Sequence, residues 1–289
     1  MKTEPTRMRG ALHALTPVVT TAVMFSVADI CGKVALSNGT DVPSILTFRS
    51  AVGIALVYAW LRFRPPALPP AARWVALGLG LMLTANLYLL FKAIELVPVS
   101  IAVLVYFVYP LLTGILGAVT GIDRLTVAGA ATALAALFGL SLIVGASSGL
   151  AAAGLAAAAG AALCRAAMLL ITRAALKGAD ARVVTWYTLC SSTAGFVVLS
   201  LVAGDWRWPH GAPGWTAFVA IGFAVTVAVF TLYVSTERIG PFRTALFMNL
   251  EPLMTASLGA LVLGERLTAV QMLGGVTMIA ALSLFQLRR

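Results

Sequence analysis

The sequence predicts an all-α membrane protein of ten transmembrane helices, built as two inverted five-helix repeats. Three observations carry this prediction. The 289 residues are 61% apolar and only 10% charged, whereas a soluble domain is about half apolar and a quarter charged. Ten apolar runs each approach the roughly 20 residues needed to cross a hydrocarbon core. The second half of the chain also repeats the first at an offset of 142 residues.

A water-soluble chain this apolar could not clothe its surface in polar groups; a bilayer removes that demand. The apolar runs fall at 16–36, 43–61, 73–93, 97–119, 127–145, 152–172, 183–203, 215–235, 241–262 and 268–287. Turn and charge signals separate them, as in Ser37-Asn38-Gly39-Thr40-Asp41, Arg62-Phe63-Arg64-Pro65-Pro66 and Lys177-Gly178-Ala179-Asp180. The alanine-rich stretch 151–162 suits close helix packing through small residues. The basic head Lys2, Arg7 and Arg9 precedes the first run without a small-residue cleavage site, so a retained first helix is expected.

The net charge is +10, but the basic residues lie in short loops, where they set topology rather than grip nucleic acid. With the N-terminus in the cytoplasm and ten alternating spans, 14 basic residues fall on the cytoplasmic side. The outer loops hold only Arg207 and Arg266. That asymmetry predicts cytoplasmic N- and C-termini in a bacterial inner membrane. Trp60, Trp74, Trp186, Trp206 and Trp215 fall near span ends, as interfacial anchors do. Cys31, Cys164 and Cys190 lie inside apolar runs and read as small core residues.

The repeat is clearest late in each half. Pro110 to Thr126 lies over Pro252 to Thr268, with 9 of 17 positions identical and no gap. The expected units are residues 1–147 and 148–289. Five spans is an odd number, so the two copies insert with opposite orientation, an architecture that serves alternating access.

On these residues the chain resembles the EamA family of the drug/metabolite transporter superfamily. The carrying motifs are Leu250-Glu251-Pro252 with Gly264-Glu265-Arg266-Leu267-Thr268, their first-copy counterparts Tyr109-Pro110 and Asp123-Arg124-Leu125-Thr126, and Leu46-Thr47-Phe48-Arg49-Ser50. Met24 and Cys164 stand where members often carry a tryptophan. The resemblance implies a basket of ten helices that exports amino acids, other metabolites or drugs.

Ionisable residues at bilayer depth are expensive and usually line a cavity. Glu251 lies mid-span directly before Pro252, which removes an i→i−4 hydrogen bond and kinks the helix. A carboxyl at such a kink can bind solute or carry protons as the coupling ion. Its repeat mate is Tyr109, before Pro110, with Tyr106 one turn back on the same face. Arg165, mid-span in the sixth run, can clamp a carboxylate or phosphate or pair internally with Glu251. Asn86, Tyr88, Asn249 and Tyr233 are further polar candidates for a cavity wall. Asp29, Lys33 and Arg49 read as a structural ion pair or outer gate, Asp29 and Lys33 being i,i+4. Lys92 and Glu95 read as anchors at a helix end.

The chain has no GxxxxGK[ST] motif, no HExxH and no GxSxG. No cofactor or metal is expected, and the energy source is a gradient of protons, ions or counter-solute. The expected function is secondary export of small polar or amphipathic metabolites, amino acids first, by a monomer or weak dimer. A multidrug-cation exporter is the alternative within transport; a membrane enzyme or an assembly subunit is the alternative outside it.

Overall fold

The computed structural model describes residues 4–62, 67–97, 99–144, 151–203, 206–263 and 268–287. Gly264, Glu265, Arg266 and Leu267 of the late motif, and the expected boundary between residues 147 and 148, lie outside the described residues.

Among the described residues twelve helices follow one another: α1 Glu4–Ser37, α2 Val42–Trp60, α3 Pro70–Leu96, α4 Val99–Tyr106, α5 Tyr109–Thr120, α6 Val127–Val144, α7 Ala152–Ala175, α8 Ala181–Ala203, α9 Gly211–Ile239, α10 Pro241–Phe247, α11 Leu250–Leu263 and α12 Ala269–Leu287. They make ten crossing segments, because α4 with α5, and α10 with α11, each form one span with a break in it. Eight segments are long and apolar enough to cross a membrane, and Val127–Leu142 and Ala269–Phe285 are shorter apolar helices.

The two breaks fall at Phe107–Val108 and Met248–Asn249, just before Pro110 and Pro252. Proline has no N–H to offer the carbonyl four residues back, so Tyr106 and Met248 lose a helical partner. At the second break the Glu251 N–H donates to the Met248 carbonyl at 3.0 Å, and the Asn249 side chain donates through Nδ2 to the Leu246 carbonyl at 2.8 Å. Apolar side chains cover the outside of the bundle, Val202 and Leu261 being 82% exposed; facing lipid, they cost nothing.

Packing runs between the copies more than within them. α1 lies along α9 and α3 along α7; α2 packs on α8 and α6 on α12. Corresponding helices of the two copies run antiparallel. Thr47 of α2 meets Ser200 of α8 while Gly53 meets Leu189. Gly139 of α6 approaches Gly274 and Met278 of α12, while Gly129 and Phe285 both lie against Phe242. The repeats are therefore inverted.

Some contacts are repeated by the inversion itself. A Cβ built on Gly53 of α2 would sit 2.8 Å from Thr226 Oγ1 of α9, and one on Gly195 of α8 would sit 2.6 Å from Thr84 Oγ1 of α3. Gly195 and Thr226 are 142 residues beyond Gly53 and Thr84, so this is one contact made twice. Only glycine lets the backbones come this close.

The loops sort into two ends. At one, the His210 N–H donates to the Asn38 carbonyl at 2.8 Å and the Arg207 N–H to Asp41 Oδ1 at 3.1 Å. Trp208 stacks on Trp215 there, with ring centroids 6.1 Å apart. At the other, the Phe242 N–H donates to Asp123 Oδ2 at 3.0 Å, and the Gly178 N–H donates to Glu237 Oε1 at 3.0 Å. Arg173 also donates to the Glu237 carbonyl at that end. This sorting agrees with ten alternating spans.

Candidate functional site: a charged cavity between the repeats

A cavity of about 290 Å³ lies between the repeats, at the depth of the two helix breaks. Its polar wall is made by Asp29 of α1, Arg49 of α2, Asn86 of α3, Tyr106 and Tyr109 at the first break, Arg165 of α7, Tyr233 of α9 and Glu251 of α11. Its apolar wall includes one face of α3, through Leu83, Leu87, Leu90, Phe91 and Ile94, with further apolar side chains from α1, α2, α7 and α9. The α3 residues recur at i, i+4, i+7, i+8 and i+11, the spacing of a single helical stripe.

Arg165 is held by rings rather than by an acid. Its guanidinium carbon lies 5.7 Å from the centroid of Phe25 and 5.9 Å from that of Tyr109, within cation–π range. The Tyr109 hydroxyl also engages the guanidinium, which leaves Nε as the donor without a partner. Arg165 Nε is buried without a hydrogen-bond partner, and so is Arg49 Nε. A buried donor left unmade costs about 1–3 kcal/mol, more when charged, and an anionic ligand in the cavity would recover that cost.

Glu251 sits in the first turn of α11, where a half-helix begins inside the bundle. Its backbone carbonyl accepts from Ser26 Oγ of α1 at 2.9 Å, which fixes the break against the first repeat. Its carboxylate forms no ion pair with Arg165; the two line the same cavity separately. Asp29 accepts from Thr255 Oγ1 of α11 at 2.9 Å. Although deep in the bundle, Asp29 is open to the cavity's solvent.

The expected candidates do not all converge. Asn86 reaches the cavity and also clasps the repeats together, donating through Nδ2 to the Ala161 carbonyl at 2.7 Å. Tyr106 and Tyr109 lie with ring centroids 5.5 Å apart. Tyr233 lines the cavity while donating to Thr188 Oγ1 at 2.9 Å. Tyr88 does not: it is 50% exposed and lines a separate side cavity. Asn249 is absent from the cavity wall too, because its amide serves the helix break. Of the expected ion-pair group, Asp29 and Arg49 face the cavity, whereas Lys33 lies exposed and away from it. Ser26 and Thr255, which hold the two acid-bearing segments in place, were not legible as site residues.

A second cavity, of about 550 Å³, opens between α2, α3 and α8 toward the Asn38 end. It shares Leu46, Phe91 and Ile94 with the central one. At the Asp123 end the nearest cleft, beside Arg173 and Glu237, holds only about 10 Å³. The central space therefore adjoins a large space toward one end of the bundle and a narrow cleft toward the other, with which it shares Thr172 and Tyr233. Among the described residues, no group of three or more His, Cys, Asp or Glu side chains is placed to hold a metal ion.

Inverted repeats, broken helices and charged side chains around a mid-bundle cavity define a multi-pass membrane protein of the transporter class. The chain belongs to the EamA-like transporter family, whose model matches it twice, over residues 12–145 and 152–286. It is 30% identical to the threonine/homoserine exporter RhtA of Salmonella typhimurium, strains SL1344 and LT2, over 254 residues, which cover 83% of this chain and 80% of the relative. A crystal structure of a protein 21% identical superposes with a TM-score of 0.82, covering 96% of this chain and 99% of the other, and so shares the fold.

Proposed function

We propose that the protein is a secondary transporter that exports small carboxylate-bearing metabolites, amino acids first among them, across the bacterial inner membrane by alternating access. The observation that carries this is Arg165, stacked between Phe25 and Tyr109 with a buried Nε that has no partner, facing a cavity it shares with Glu251. A guanidinium so placed is preorganised for a carboxylate. Glu251 and Asp29 offer acceptors to an ammonium group on the same solute. The 30% identical threonine/homoserine exporters support export of amino acids. Two arginines on the cavity wall weigh against a cationic drug as the solute.

The excess of basic loops at the Asp123 end puts that end, with both termini, in the cytoplasm. The cavity then faces outward in this conformer. Protons exchanging on Glu251 or Asp29 supply the coupling ion in this reading, and one chain suffices because both repeats are present in it.

The test is a ligand screen on the purified protein in nanodiscs. An amino acid at 100 times its Kd should raise the unfolding free energy by about 2.7 kcal/mol. A panel of amino acids, other metabolite carboxylates and cationic drugs in which only cations stabilise the protein would refute the assignment.

A further inference from the structure

The side cavity has no role in the account so far, yet it is the larger of the two spaces and runs on from the first. It lies against α2 through Val42, Pro43 and Leu46, against α3 through Tyr88, Phe91 and Ile94, and against α8 through Phe196 and Leu199. Its polar atoms are largely spoken for. Ser200 Oγ is hydrogen-bonded to Thr47 Oγ1 at 3.1 Å, and Glu95 is paired with Lys92 at 2.7 Å. The shared residues Leu46, Phe91 and Ile94 are wholly apolar, and Phe91 and Ile94 belong to the stripe of α3 that also lines the central cavity.

We propose that the two cavities form one amphiphile site: the solute's carboxylate sits at Arg165 and an apolar tail runs along α3, past Leu46, Phe91 and Ile94, into the space between α2, α3 and α8. The substrate class is then an amino acid or related carboxylate with an extended apolar side chain, not a short polar one. This deepens the reading of Arg165 given above and rests on it. Apolar side chains of α3, with Leu46 of α2, line both the central cavity that holds the polar groups and the side cavity, so a molecule with one charged end and one apolar end satisfies both at once. The rival occupant, a phospholipid acyl chain entering from the bilayer, would fill the side cavity with no dependence on Arg165. Glu95 is the one charged side chain lining the side cavity, and it engages Lys92.

The experiment is equilibrium binding to the full chain in nanodiscs, using unbranched 2-aminoalkanoates of increasing chain length. Burying one methylene is worth about 0.8 kcal/mol, so affinity should rise roughly three- to fourfold per added methylene through the longer members. Val42→Trp and Leu199→Trp, which fill the side cavity from α2 and α8 and do not line the central one, should abolish that rise while leaving the shortest members' affinity within about twofold. If short members bind the wild-type protein but affinity does not grow with length, the tail site is wrong and the carboxylate reading stands. If no member binds at any length, both fall.

Discussion

The Asp123 carboxylate accepts a hydrogen bond from the Phe242 N–H at 3.0 Å, joining the loop after α5 in the first repeat to the start of α10 in the second. Phe242 is 2% exposed, and its N–H takes this acceptor at a part-buried site. The contact lies at the end where the central cavity adjoins only a narrow cleft, and alternating access requires that end to open. Asp123→Ala should therefore do two things. It should cost about 1–3 kcal/mol for the stranded donor, read as a lower melting temperature. It should also raise the rate at which a thiol reagent reaches a cysteine placed at Thr236, on the closed side of the cavity wall. Asp123→Asn retains an acceptor oxygen and should do less of both.

The twin contacts Gly53–Thr226 and Gly195–Thr84 predict a coupled pair of substitutions. Gly195→Ala drives a methyl group against the Thr84 side chain, and overpacking of this kind costs about 1–3 kcal/mol. Thr84→Ala clears the space, so the double variant should recover most of the loss. A double-mutant cycle on melting temperature checks this, with a coupling energy of at least about 0.5 kcal/mol expected. The pair Gly53→Ala with Thr226→Ala should recover less, because a Cβ on Gly53 also meets Leu189 Cδ1 at 2.7 Å, a contact that Thr226→Ala does not relieve.

The proposed proton coupling rests on one of two carboxylates on the cavity wall, Glu251 or Asp29. Glu251→Gln preserves shape and removes the charge change. In proteoliposomes this variant should still exchange solute for solute, while a pH gradient imposed across the membrane should no longer drive accumulation. Asp29→Asn, measured alongside, distinguishes the two acids: accumulation lost only in that variant would assign the coupling to Asp29.

Much of the fold was readable because the bilayer sets element length. Ten apolar runs gave ten crossing segments, and the prolines at 110 and 252 marked both breaks. Helix ends were less readable: α9 runs over Gly211–Ile239 where apolarity alone suggests 215–235, because a helix does not stop where the apolar run stops. In the site, charge was a better guide than periodicity. Arg165, Glu251, Asp29 and Arg49 all reached the cavity, since a charge at that depth has few other places to go. Asn86 and Tyr88 are two residues apart on α3, one lining the central cavity and the other not. The helix is apolar nearly all round, so no polar stripe told them apart. Ser26 and Thr255 went unnoticed because serine and threonine inside helices usually bond their own backbone four residues back, as Ser26 also does to Ala22.

The central claim is that Arg165, free of any acid partner, holds the solute's carboxylate. Counterflow of a radiolabelled amino acid into proteoliposomes preloaded with the same unlabelled amino acid tests it most directly, comparing the wild-type protein with Arg165→Lys and Arg165→Ala. Removing a charge-assisted hydrogen bond to the solute is worth about 1.5–3 kcal/mol, so Arg165→Ala should weaken apparent affinity by about 10- to 150-fold, with Arg165→Lys between the two. Unchanged counterflow in a well-folded Arg165→Ala protein would contradict the account.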